Sequence, residues 1–332
     1  MPLIFDMRTP FTTVILEPDG YASDAIAAYR SLGRVFLWSG LKSAQKKRAL
    51  AGADILVVRL NHRITDEWLS RMPSLKIIAT PTTGLNHIDL DAAKKRGVKI
   101  ISLRGAAFLG RTPSTAEETI GLILALVRHI PWAFEDVKKG HWDRDAWRGR
   151  QLKDKTLGLL GCGRLGTIVA RYGRVFGMNV VGYDPYVGAH AMKRRGMRKV
   201  SMTALFKGSD VVSIHVLFGK ETENLVDDKR LSLMKPSSVL INTARAEIIK
   251  KGALEKALEK HWIAGAAIDV VRDERGVATD LKKDPLWQYA KTHRNLLIVP
   301  HIGGATFEAM RETEIWIAEK TVREARRRTA TK

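Results

Sequence analysis

The chain has 332 residues, 45% of them hydrophobic and 27% charged, with 56 Lys and Arg against 35 Asp and Glu. That length fits two domains of roughly 100–200 residues, and the apolar share suffices for two packed cores, which excludes a disordered or disulfide-stapled chain. The one cysteine, Cys162, can neither close a bridge within the chain nor supply a zinc cluster, so no metal site is expected and a reducing compartment is the simplest home. The opening MPLIFDMRTP lacks a basic segment followed by a long apolar one, so no secretory signal is expected. The most apolar helical run, Ile120 to Val127, falls far short of the ~20 residues of a membrane span. The expectation is a cytoplasmic protein with no membrane partner. The net charge of +21 admits a nucleic-acid partner, acidic substrates or a basic solvated surface.

Short β-branched runs alternate with amphipathic or Ala/Lys-rich stretches, the pattern of βα units and parallel sheets. In the first part the pattern predicts strands at Thr13–Glu17, Val35–Trp38, Ile55–Arg59, Lys76–Thr80 and Lys99–Ile101, with helical stretches such as Ser23–Leu32 and Asp89–Arg96 between them. Next, Ser114 stands three places before Glu117 and just ahead of GLILALV, which predicts a capping box opening a buried helix that ends near Ile130, before Pro131. Trp132, Trp142 and Trp147 follow as packing or interface anchors. The second part predicts six strands at Thr156–Leu160, Asn179–Tyr183, Val211–His215, Val239–Asn242, Gly265–Asp269 and Leu296–Val299. Six strands with helical connections match one dinucleotide-binding domain. A loop at His301-Ile302-Gly303-Gly304 precedes a last helix from about Phe307.

The strand TLGLL runs into Gly161-Cys162-Gly163-Arg164-Leu165-Gly166 and then a helical stretch. The first glycine permits the tight turn, the second lets backbone approach a pyrophosphate, and the third allows close helix–strand packing. The next strand ends in Asp184, 23 positions after Gly161. A carboxylate there accepts bonds from adenosine ribose hydroxyls and repels a 2′-phosphate, which favours NAD over NADP. Cys162 inside this loop reads as a packing residue, since no base stands beside it in sequence.

A nicotinamide cofactor carries its own reactivity, so the protein must orient a carbon, bind an anion and move a proton. Three side chains near strand ends suit those tasks. Arg245 offers a planar fork to a carboxylate or carbonyl, His301 exchanges a proton near neutral pH, and Glu274 could hold the imidazole.

The segments GLLGCGRLG with VVGYDP, SVLINTARAE, AGAAIDVVRDE and VPHIGGAT together resemble the D-isomer-specific 2-hydroxyacid dehydrogenases, the family that includes phosphoglycerate dehydrogenase. TTGLNHIDLDAAKKRGV and STAEETIGLILAL are similar to that family's first-domain and linker motifs, so the resemblance spans nearly the whole chain. It implies two Rossmann-like or flavodoxin-like doubly wound α/β domains with an active-site cleft between them. One is a discontinuous substrate-binding domain, 1–111 with 301–332, and the other an NAD-binding domain, 112–300. It implies an oxidoreductase working between NAD and a D-2-hydroxy acid, with Arg245 binding the substrate, His301 as general acid and base, and Glu274 supporting it. Asp269 would contact the nicotinamide carboxamide, and His215, Thr222, Thr243, Ala244, Gly303 and Gly304 would line the cofactor beside the glycine loop. Thr83 and Gly84 would receive the substrate carboxylate, and Arg59 stands where phosphoglycerate-type members bind a phosphate. A homodimer is implied.

Several positions depart from the family's pattern. Arg245 is followed by Ala246-Glu247 rather than two glycines, Lys250-Lys251 replace an acidic pair, His215 is followed by Val216-Leu217 without the usual proline, and Glu274 is followed by Arg275. The first-domain loop Thr82-Thr83-Gly84 keeps one glycine of two. A second reading is an NAD-binding corepressor or nucleic-acid-associated protein without turnover, which the basic charge would suit. Against it, the basic clusters KSAQKKR, KRRGMRK and REARRR are dispersed and no nucleic-acid-binding motif accompanies them.

Overall fold

The computed structural model describes residues 11–272 and 281–330, and the chain divides at Ala107/Phe108 and again at Ala305/Thr306 into two compact units. The first unit is built on five short parallel strands, β1 (Phe11–Ile15), β2 (Gly33–Leu37), β3 (Ile55–Val57), β4 (Ile77–Ala79) and β5 (Lys99–Ile101), in the order β2-β1-β3-β4-β5. That is the flavodoxin-like order of a doubly wound sheet. β3 and β4 are buried at every residue because helices cover both faces of a parallel sheet, so their sequences are continuous ILV and IIA runs. Around them lie α1 (Ser23–Arg30), α2 (Ser43–Ala51), α3 (Asp66–Ser70) and α4 (Leu90–Lys95).

The second unit carries α5 (Ser114–Val127), α6 (Ile130–Lys138), β6 (Thr156–Leu160), α7 (Arg164–Val175), β7 (Asn179–Tyr183), α8 (Ala189–Arg194) and β8 (Arg198–Lys199). It continues through α9 (Met202–Gly208), β9 (Val211–Ile214), α10 (Asp228–Leu231), β10 (Val239–Asn242), α11 (Ala253–Glu259), β11 (Gly265–Ile268), α12 (Pro285–Thr292) and β12 (Leu296–Ile298). Its parallel strands run β12-β11-β10-β9-β6-β7-β8, so strand order reverses between β6 and β9, where open α/β sheets bind ligands. The sequence reading found six of these strands and missed β8. That strand is two basic residues on the sheet edge, Arg198 and Lys199 paired with Val181 and Gly182, and carries no apolar pattern to find.

The last helix, α13 (Phe307–Ala330), belongs to the first unit. Ile317, Thr321 and Ala325 recur every four residues on its buried face, and Thr321 returns its hydroxyl to the Ile317 carbonyl at 2.7 Å. Glu314, 1% exposed, accepts the Ala22 amide at 2.7 Å and pairs with Arg59 at 3.2 Å, tying α13 to the loop after β1 and the end of β3. No helix among the described residues is long and apolar enough to cross a membrane.

Two local expectations are corrected. Pro113, not Ser114, holds the N-cap position of α5, and no side chain caps that end. The Ser114 hydroxyl instead donates to the Gly303 carbonyl at 2.6 Å, and Glu117 points to solvent, so the Ser/Glu pattern is not a capping box. The helix also stops at Val127 rather than Ile130. Pro131 has no amide to give the Val127 carbonyl, which takes the Arg150 N–H at 2.9 Å, while His129 turns left-handed (φ 55°) and α6 begins with Pro131 in its first turn.

Ile120, Ile123 and Val127 on α5 face the core that includes Leu157, Leu159, Val169 and Ile241. Ile123 is fully enclosed. Truncating it, Ile123→Ala, is expected to cost ~2–5 kcal/mol of unfolding free energy in a urea titration.

Candidate active site

The carboxyl end of β6 opens the loop the sequence singled out. Gly161 sits at φ +98°, and a Cβ there would lie 2.7 Å from both the His215 carbonyl carbon and the Val216 amide nitrogen. Only glycine permits that approach, which brings the ends of β6 and β9 together at the point where the strand order reverses. A Cβ on Gly166 would collide with the Gly161 carbonyl, so the third glycine lets the first turn of α7 close over the loop. Around Gly163 there is open space: nothing lies within 4 Å of a Cβ built there. An open backbone at the start of a twelve-residue helix, between two sterically obligatory glycines, fits a pyrophosphate.

Asp184, at the end of β7, accepts the Cys162 amide at 3.0 Å through one oxygen and the Tyr186 amide at 2.9 Å through the other. Each oxygen keeps a lone pair for a hydroxyl. The Cys162 thiol is enclosed, and burial, with Asp184 beside it, pushes it up to about 12, so it is an unreactive packing group. Arg164 donates to the Leu109 carbonyl at 2.9 Å, which draws the chain before α5 into the second unit, and Leu165 packs on the core. His215 bonds the Ser213 hydroxyl through Nε2 at 2.9 Å, while its Nδ1 is sealed from solvent without a partner. Burial pushes the imidazole down to about 4, so it is neutral at pH 7. The Thr222 hydroxyl closes its own turn, donating to the Leu217 carbonyl at 2.6 Å and accepting from the Gly219 amide at 2.9 Å.

Three adjacent strands, β10, β11 and β12, carry the proposed reacting groups at the same end of the sheet. After β10, Asn242 bonds the turn from both sides: Oδ1 accepts the Ala244 amide and Nδ2 donates to the Arg245 carbonyl, each at 3.0 Å. The half-buried Arg245 guanidinium reaches the Ala244 carbonyl at 2.6 Å. Thr243 meets Thr119 of α5 hydroxyl to hydroxyl at 3.0 Å. After β11, Asp269 accepts the Ile302 amide at 2.6 Å and the Gly303 amide at 2.9 Å. After β12, His301 turns at φ 55°, a conformation few non-glycine residues adopt, and Gly304 faces solvent. These bonds place Phe108–Arg111 and His301–Ala305 in the second unit, whereas the sequence reading gave them to the first. Glu274 lies outside the described residues.

Asn242, Thr119 and Glu118 were not found by sequence reasoning. Asn242 is a polar end to a fully buried strand, a legible signal, and Glu118 follows Ser114 by four positions on the row that continues to buried Leu122. Burial, with the Asp269 charge next, pushes the Glu118 carboxyl up to about 8.

In the first unit, Thr82 donates to the Gly84 carbonyl at 2.8 Å and meets Thr80 at 2.8 Å, and Arg104 holds the Thr83 carbonyl at 3.1 Å. The Arg59 guanidinium donates to Glu314 and to the carbonyls of Glu17, at 3.1 Å, and Asp19, at 2.9 Å, and so is engaged within its own unit.

A family profile described as D-isomer specific 2-hydroxyacid dehydrogenase, NAD binding domain, matches residues 120–303. Over 307 residues the chain is 33% identical to a D-3-phosphoglycerate dehydrogenase of Methanocaldococcus jannaschii, covering 92% of this chain and 56% of that one. It is 36% identical to a glyoxylate reductase of Thermococcus litoralis, covering 77% and 76%. Among solved structures, a D-lactate dehydrogenase from Aquifex aeolicus complexed with NAD and lactic acid superposes with a TM-score of 0.77 at 30% identity, covering 96% of both chains. The chain spans about half the length of the first curated relatives it matches, 56% and 50%.

The glycines make separable predictions. Gly163→Ala is expected to leave the melting temperature within about a degree and weaken NADH affinity about tenfold or more, since its methyl enters only the open space. Gly166→Ala is expected to lower both. Thermal melts beside NADH fluorescence titrations distinguish them.

Proposed function

The chain belongs to the D-isomer specific 2-hydroxyacid dehydrogenase family, and on that premise we propose that it interconverts a D-2-hydroxy acid and the corresponding 2-keto acid with NAD. The observation that carries this reading is the placement of Arg245, Asp269 and His301 after three neighbouring parallel strands, at the same end of the sheet as the glycine loop. NAD, when bound, supplies a two-electron carrier that passes a hydride to or from the substrate carbon. Gly161–Gly166 and Asp184 would hold its phosphates and ribose. Arg245 would fix the substrate's carboxylate and polarise its carbonyl oxygen, and His301 would give that oxygen its proton in reduction and take it back in oxidation. Backbone at Thr83 and Gly84 would receive the carboxylate, and Glu274 would hold His301 in orientation. The balance is one 2-keto acid, one NADH and one proton for one D-2-hydroxy acid and NAD.

We further propose a cytoplasmic homodimer. The single cysteine is free and buried, which suits a reducing compartment. On α6, Ile130, Phe134 and Val137 stand 53%, 62% and 47% exposed at helical spacing, and Trp142 beyond it is 89% exposed. An apolar row of that kind marks a contact surface, and a second copy presents the same row.

Purified protein with NADH against a panel of 2-keto acids, phosphorylated and sugar-derived ones included, is expected to show turnover of at least one. With that substrate, Arg245→Ala and His301→Asn should each lower kcat/KM by ~10²–10⁴; unchanged values would remove the assigned roles. Light scattering should give twice the 37.1 kDa chain mass, and Phe134→Glu with Trp142→Glu should return it to one.

A further inference from the structure

Glu118 lies in the second turn of α5, one residue beyond the exposed Glu117. Both of its carboxyl oxygens are sealed from solvent, and no N–H or hydroxyl donor among the described residues reaches either. Facing it is the carboxyl of Asp269, itself 1% exposed. A Cβ on Gly303 would collide with Glu118 Oε2 and stand 2.9 Å from Asp269 Oδ2, so two buried carboxyl groups and one glycine backbone occupy a single small space. Two ionised carboxylates cannot share such a space without a large penalty, and one proton between them turns repulsion into a hydrogen bond.

The partners decide where that proton resides. Burial raises the Asp269 carboxyl too, but an amide donor on each oxygen, Ile302 on one and Gly303 on the other, and the field of His301 pull the other way and favour its anion over that of Glu118. Glu118 has no such donor. The titratable groups that bear on the pair, among the described residues, are each other and His301: Glu118 from α5, Asp269 from the end of β11, His301 from the loop after β12.

We propose that Glu118 is a positioning residue of this site, which stays protonated, donates its O–H to the Asp269 carboxylate, and so keeps the pair at one negative charge that clamps Ile302 and Gly303 and with them His301. Nothing in the family match assigns this role. The proton follows from the geometry of the second unit alone; its consequence for turnover rests on the dehydrogenase reading. Because the folded carboxyl is raised above its ordinary value of 4.5 to about 8, the unfolded chain binds fewer protons between those values. The stability Glu118 contributes is therefore fully present below about pH 4.5 and is lost as pH rises through about 8.

The test uses the full-length protein and two variants, E118Q and E118L, with melting temperature recorded without ligand from pH 5 to 9. Glutamine donates to Asp269 without titrating, so its melting temperature should fall less steeply between pH 5 and 8 than that of the natural chain. Parallel slopes would overturn the proposal. In turnover assays, E118Q should hold kcat within about threefold at pH 7 and keep it above pH 8, where the natural chain loses activity. E118L, with no donor, should lose kcat about tenfold or more at every pH through a displaced His301. Wild-type kcat in E118L with folding intact would overturn the positioning role. If no 2-keto acid is turned over, the ligand-free melts still decide whether Glu118 carries the proton, which separates this failure from failure of the proposed activity.

Discussion

The close approach of Gly161 to the His215–Val216 backbone is the constraint from which the second unit's chemistry follows. Side-chain-free contact joins the ends of β6 and β9 where the strand order reverses, and α7 can start there only because Gly166 leaves room for the Gly161 carbonyl. With that end of the sheet fixed, the turns after β10, β11 and β12 are held by polar side chains rather than by further strand pairing. Asn242 brackets the first, Asp269 grips the loop after the last, and Ser114 pins Gly303 from α5. Helix α5 thus forms one wall of the core with Ile123 and Leu126 and, through Ser114 in its first turn, fastens Gly303 in the loop bearing His301.

What could be read in the sequence was what a fully buried parallel sheet imposes. TLGLL, NVVGY and VLIN announce themselves because helices on both faces demand unbroken apolar runs, and their boundaries agree with the structure. β8 has no such demand on it, being two residues at an edge. The capping box failed for a different reason. A serine before an apolar helix has several carbonyls and amides within reach, and which one it bonds depends on tertiary neighbours: here Gly303, 189 residues away, wins over the local amide. Glu118 was overlooked for the same reason, since a carboxyl beside another on a helix reads as solvated until the fold shows what stands opposite.

The excess of positive charge also takes on a physical shape. Acidic groups on the surface serve more than one cation: Asp228 takes Lys250 and Lys256, and Glu324 takes Lys99, Arg327 and Arg328. Many remaining cations rest on indole faces, as Lys46 does on Trp38, Lys320 on Trp316, Lys260 on Trp262 and Arg294 on Trp147. A ring met in that way is a packing surface for a long aliphatic stem. Exposed pairs of this kind contribute little each to stability, about 0–1 kcal/mol.

In the first unit the same economy of polar groups explains why α13 is part of a domain that begins some three hundred residues earlier. Glu314 is a buried acid, raised by burial and relieved by the Ala22 amide and the Arg59 guanidinium. Arg59 in turn draws in the Glu17 and Asp19 carbonyls, and the Glu17 carboxylate answers by accepting the Arg59 and Asn61 amides and meeting His62 at 2.8 Å. Loop, strand end and terminal helix therefore form one network in which no member can leave without stranding a buried charge. An arginine so placed has its geometry set by its own domain first. Any anion it also met would have to be accommodated at the donors that network leaves over.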